Sequence, residues 1–191
     1  MSTIAATNLK NAGSASNNVV LNADGTTTIA APSNIIKSGT SVATTSGTAV
    51  DFTGIPSWVK RITVMFNAVS TNGTSSPQVQ LGAGSITTSG YNSFGSITGS
   101  VSSATGSASS GIVIYDNGPL ATNTVIGNLF ITNQSENIWV ANYAIADPPR
   151  GGTKVGAAVV TLSGTLDRLR LTTVNGTDTF DAGSVNILFE G

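Results

Sequence analysis

Histidine and cysteine are both missing from this 191-residue chain. The first absence removes the commonest general base and the commonest metal ligand. Together the two absences rule out a Ser-His-Asp or Cys-His catalytic arrangement. No disulfide framework and no thiolate metal site can form. Charge is scarce as well: 9% of residues are charged, against about 25% in an ordinary soluble domain. The formal net charge is −1, so counterion release cannot drive binding to nucleic acid. The longest basic cluster is the pair Lys60-Arg61. No apolar run approaches the roughly 18 residues of a membrane span. Residues Met1 to Gly13 lack the basic and apolar regions of a signal peptide. Strong helix formers are few and glycine occurs 22 times, which argues against any long amphipathic helix. Neither a cofactor, a nucleic acid nor a membrane is expected as a partner.

Valine, isoleucine and threonine fill the space that charge leaves, and they favour strands. Alternation is clearest over Lys60 to Ala68, where Ile62, Val64, Phe66 and Ala68 are expected to share one face. Gln78–Leu81, Ile112–Tyr115, Val125–Thr132, Ile138–Ala146 and Gly156–Leu162 read as further strands. In Leu166–Thr173, Leu169 and Leu171 point one way while Arg168 and Arg170 point the other, the pattern of a half-buried strand. The last strand is expected over Ser184–Glu190, with Val185, Ile187 and Phe189 inward. Turn chemistry separates these runs at Asp24-Gly25, Asn72-Gly73, Asp116-Asn117-Gly118-Pro119, Asp147-Pro148-Pro149 and Asn175-Gly176. Short strands with such punctuation predict an all-β, antiparallel, jelly-roll-like β-sandwich over residues 37–191.

Residues 1–36 differ. Asn8 to Asn18 is small and polar, and Val19-Val20-Leu21 and Thr27–Ala30 are two short runs about Asp24-Gly25. A lone hairpin is marginal in water. This segment therefore reads as an extended N-terminal arm that orders by docking on a neighbour through Leu9, Val19, Val20, Leu21 and Ile29. The alternative is a hairpin packed on its own sandwich. Residues 99–111, rich in Ser, Gly and Ala, read as a flexible surface loop.

Candidates for chemistry are few. Asp178 and Asp181 are the carboxylates closest in sequence, and a carboxylate pair can hydrolyse glycosides. An Asp in a turn more commonly bonds its own backbone. With Asn175 and Asn186 the same pair could offer oxygens to Ca²⁺, although EF-hand spacing is absent. Gly82-Ala83-Gly84 lacks the remaining features of a phosphate loop. Trp58 and Trp139 could stack on sugars, but in a sandwich they more often fill the core. Three Asn-X-Ser/Thr triplets, at Asn72, Asn133 and Asn175, are expected by chance in this composition.

Three segments carry a family resemblance. Asn17-Asn-Val-Val-Leu-Asn-Ala-Asp-Gly-Thr26 resembles the opening of small tailed-bacteriophage virion proteins, cyanophage and marine-phage ones in particular. The stretches from Val50 to Phe66 and from Leu166 to Glu190 are similar to blocks of tail-fibre-like proteins. The middle of the chain carries no such likeness. The resemblance implies a non-enzymatic, trimeric, β-rich virion structural protein, made in the host cytoplasm and carried on the capsid or tail surface. Two roles follow as expectations. One is a capsid decoration or cement protein that docks on the major capsid protein and associates with its own copies. The absence of coiled-coil heptads and shaft repeats favours it. The other is a short tail fibre or fibre tip that joins tail proteins and binds host glycan through Tyr91, Asn92, Tyr115 and Asn117.

Overall fold

The computed structural model describes residues 8–10, 12–13, 19–29, 36–99 and 103–191. The chain divides into two compact units, Met1–Ile35 and Ile36–Gly191. The first holds β1 (Asn8–Leu9), β2 (Val19–Leu21) and β3 (Thr27–Ile29), paired antiparallel in that order. The β2–β3 turn is built by Asp24, whose carboxylate accepts bonds from the Thr26 amide and hydroxyl, with Gly25 at positive φ. Both strands fall where the sequence places them. Ala30 lies outside the described residues, as does Asn11 and the run 14–18.

The second unit contains β4 (Lys37–Ser38), β5 (Val42–Ala43), β6 (Ala49–Thr53), β7 (Arg61–Thr71), β8 (Pro77–Ala83), β9 (Ser85–Ile86) and β10 (Asn92–Gly99). It continues with β11 (Ser103–Ala108), β12 (Ile112–Val113), β13 (Val125–Ser135), β14 (Ile138–Asp147), β15 (Gly152–Thr161), β16 (Arg168–Thr173) and β17 (Phe180–Glu190). One sheet has the order β11-β10-β15-β14-β13-β7-β17-β4, with β5 also on β17. The smaller sheet has the order β12-β8-β16-β6, with β9 on β8. Every pairing is antiparallel.

Inward residues of both sheets join in one core. Ile62 and Val64 of β7, Leu129 and Ile131 of β13, and Val185 and Ile187 of β17 come from the large sheet; Val79, Leu81, Leu169 and Leu171 come from the small one. Two sheets meeting through one apolar cluster form a sandwich. Leu169 and Leu171 are fully buried while Arg168 and Arg170 are half-buried on the other face, where they pair with Asp167 and Asp51.

Three local findings correct the sequence reading. Ala68 does not continue the inward row of β7. It takes a positive φ at a bulge, one extra residue against β13 and β17, so that Val69 becomes the next buried residue. Gly183 on β17 meets this bulge, where a Cβ would overlap the Ala68 backbone. Residues 99–111 are not all loop: Ser103–Ala108 is an edge strand in full register with β10. β1, β4, β5, β6, β9 and β10 fall where the sequence pattern predicts no strand.

The β10–β11 region forms because glycine suits it. Gly106, Gly95 and Gly156 lie side by side on β11, β10 and β15, next to Tyr143 of β14. A Cβ on Gly95 or Gly156 would overlap the Tyr143 hydroxyl, and one on Gly106 would overlap the Tyr115 ring. The glycines open a trough in which two tyrosines lie across the sheet, so aromatic side chains supply the packing that these strands lack.

Candidate functional site

The outward face of the large sheet is the main candidate surface. Register places Asn92, Val159, Val140, Thr132, Arg61 and Glu190 in one cross-strand row. Phe94, Ala157, Asn142 and Phe130 fall in the next, then Ser96, Val155, Ala144 and Asn128. Charge on these rows is confined to Arg61 and Glu190, 3.5 Å apart at one side, with the Arg61 guanidinium 5.2 Å over the Phe130 ring. At the other side Phe94 is 60% exposed and Val155 49% exposed. They border an open depression of about 440 Å³ whose lining also includes Ser96, Thr105 and Ala157. Val140 and Val159 extend the apolar area along β14 and β15. Contiguous apolar surface of this kind marks interaction sites.

On the N-terminal unit, Leu9 and Leu21 are exposed and Val19 and Val20 are half-buried. Ile29 ends β3; its side chain lies outside the described residues. Three short strands thus present apolar side chains without enclosing them.

The four proposed glycan contacts separate. Asn92 and Asn117 are exposed. Tyr91 is 4% exposed, so it cannot act as a surface contact. Its hydroxyl accepts from the Leu81 amide at 2.7 Å and donates to the Leu81 carbonyl at 3.3 Å. Burial pushes its phenol up to about 12. Tyr115 is half-buried against Gly106, with its amide donating to the Tyr143 hydroxyl at 3.2 Å. Burial likewise pushes the Tyr143 phenol up to about 12. Tyr91 follows Ser89-Gly90 and Tyr115 precedes the Asp116–Pro119 turn, positions that suggest exposed loops, whereas the sandwich uses both as packing.

Asp178 and Asp181 serve different places. Asp178 accepts from the Ser75 amide at 2.8 Å and the Asn175 side chain at 2.6 Å, which ties the loop after β16 to the loop after β7. Asp181 accepts from the Ser70 hydroxyl. Asn175 Oδ1 receives the amides of Thr177 and Asp178, and Asn186 accepts from the Ile187 amide. Among the described residues no three His, Cys, Asp or Glu side chains are grouped for a metal ion. Trp139 is buried at 5% exposure, and Trp58 packs half-buried against the core.

One ionic cluster was missed. Lys154 Nζ lies 2.7 Å from Asp116 Oδ2 and 3.0 Å from Asp147 Oδ2, with all three side chains at most 1% exposed. Asp116 Oδ2 also accepts from Asn123 Nδ2 at 2.7 Å, and Asp147 Oδ1 accepts from the Thr124 amide at 3.3 Å. Asp147 Oδ2 meets Nζ as an ion pair outside hydrogen-bond alignment. Strand phase held the signal. Counting back by twos from Val160 through Ala158 reaches Lys154, and counting forward from Trp139 through Tyr143 and Ile145 reaches Asp147. Both charges stand in inward positions.

A scan against protein-family models and searches of curated proteins and of solved structures gave no match.

Proposed function

We propose that this chain is a non-enzymatic structural protein of a phage particle, of the capsid decoration or cement type. In this reading a jelly-roll-like sandwich associates with its own copies, as a homotrimer, and an N-terminal arm docks on the major capsid protein. The observation that carries the proposal is the exposed apolar area about Phe94 and Val155 on a nearly uncharged sheet face. Neutral surfaces can be buried without the large desolvation penalty of ions. A stable contact buries roughly 1,200–2,000 Å², an area that the face of a nine-stranded sheet can supply. Leu9 and Leu21 add exposed apolar surface on a sheet of three short strands. The polar side chains considered for catalysis are committed to turn and strand hydrogen bonds.

Light scattering on the purified chain tests self-association. A stable trimer at micromolar concentration supports the reading, and a monomer contradicts it. Abundance in purified virions tests the location: near-stoichiometry with the major capsid protein supports decoration. A few copies per particle, with binding on a glycan array, would support the fibre-tip role instead.

A further inference from the structure

Lys154 heads the largest fully buried side chains among the described residues. A lysine, normally a strongly hydrated point charge, here shares a water-excluded site with two carboxylates. Such a site carries a heavy desolvation penalty. The amine is also held against a group that can acylate it: Nζ touches Asp116 Oδ2 at 2.7 Å. Fixed contact of this kind converts a slow bimolecular condensation into an intramolecular one. A second buried carboxylate oxygen, on Asp147, lies 3.0 Å from the same nitrogen and needs only reorientation to accept its proton. Nucleophile, acyl group and proton relay are thus assembled in a dry site that no surface role uses.

We propose that Lys154 and Asp116 condense into a side-chain amide, with Asp147 relaying the protons. Asp147 Oδ2 takes a proton from the Lys154 ammonium, and the freed Nζ lone pair attacks Cγ of Asp116. The new N–C bond forms, and one Cγ–O bond of Asp116 breaks. Two protons leave the nitrogen in all. Both pass through Asp147 to the departing oxygen, which leaves as water, and Asp147 ends as it began. No oxidant, cofactor or second substrate enters the balance. The ammonium and one carboxylate vanish from the interior. A residual space of about 10 Å³ beside Asp116, Asn123 and Lys154 is about what one water requires. The bond would tie the loop after β12 to β15, across 38 positions of sequence, and close that segment covalently.

Mass spectrometry of the purified, denatured full chain tests this. The expected mass is that of the sequence, allowing for loss of Met1, less one water. Trypsin should leave the peptide Ile62 to Arg150 joined to Gly151 to Arg168, uncut at Lys154. Asp147→Asn should restore the full sequence mass while circular dichroism retains the β-sheet spectrum. Lys154→Arg should restore it as well. This control matters because Asp-Gly and Asn-Gly steps can also lose water or ammonia. A wild-type chain at full sequence mass, cut freely at Lys154, overturns the proposal. So does a water loss that survives Lys154→Arg. A bond that still forms in Asp147→Asn overturns the relay.

Discussion

The two units of this protein treat the same kind of residue in opposite ways. In the second, Leu81, Leu129, Leu169 and Leu171 are fully buried between two sheets. In the first, Leu9 and Leu21 remain about half exposed on a sheet three short strands wide. Both units have strands, turns and register, so pairing alone does not distinguish them. Enclosure does: among the described residues the first unit is one layer of three short strands that leaves Leu9 and Leu21 exposed, whereas two sheets enclose the leucines of the second. Strand propensity therefore specifies local structure in both units, while among the described residues the enclosed apolar core lies in the second.

Leu169→Ala breaks that comparison most severely. It should cost about 2–5 kcal/mol of unfolding free energy and lower the midpoint of a denaturant titration of the second unit. Alkali comes next. Tyr91 and Tyr143 do not ionise in the fold until about pH 12, whereas an unfolded phenol ionises near 10. The native state then holds more protons than the unfolded one, so stability is full below about pH 10 and falls as pH rises toward 12. The loss is roughly 2–3 kcal/mol per tyrosine, and stability measured from pH 8 to 12 checks it. Gly106→Ala should destabilise by about 1–3 kcal/mol, because the new Cβ would enter the Tyr115 ring. Its thermal midpoint against wild type is the readout.

Smaller effects belong to the surface. The Arg170 guanidinium bonds both oxygens of Asp51 at 2.7 Å and holds that carboxyl below its ordinary value. Its contribution is present above the unfolded carboxylate range and lost as pH falls through the lowered folded value. Solvent screening limits this to below about 1 kcal/mol; comparing Arg170→Ala with wild type between pH 2 and 6 isolates it.

The sequence was most legible where one face of a strand is wet. Leu169 and Leu171 alternate with Arg168 and Arg170, and the structure keeps that division. Val185, Ile187 and Phe189 are inward as their spacing requires. Legibility failed where packing comes from another strand. β10 and β11 contain little apolar material because Tyr143 and Tyr115 fill their glycine trough. Ala68 broke phase through a bulge that composition does not announce. Asp147 reads in sequence as the start of a Pro-rich turn, and Lys154 lies before the expected strand Gly156–Leu162, whereas β14 and β15 extend over both and point them inward. At the proposed docking surface the apolar identity of Leu9 and Leu21 was readable, while the Phe94–Val155 face emerges only from the register of β10 on β15.

Cosedimentation with virions stripped of this protein tests the central claim most directly, using the full chain and residues 36–191 side by side. Docking through the N-terminal unit predicts that the full chain pellets with the particles while the folded truncation stays in the supernatant. Equal pelleting of the two, or no pelleting of the full chain, would contradict it.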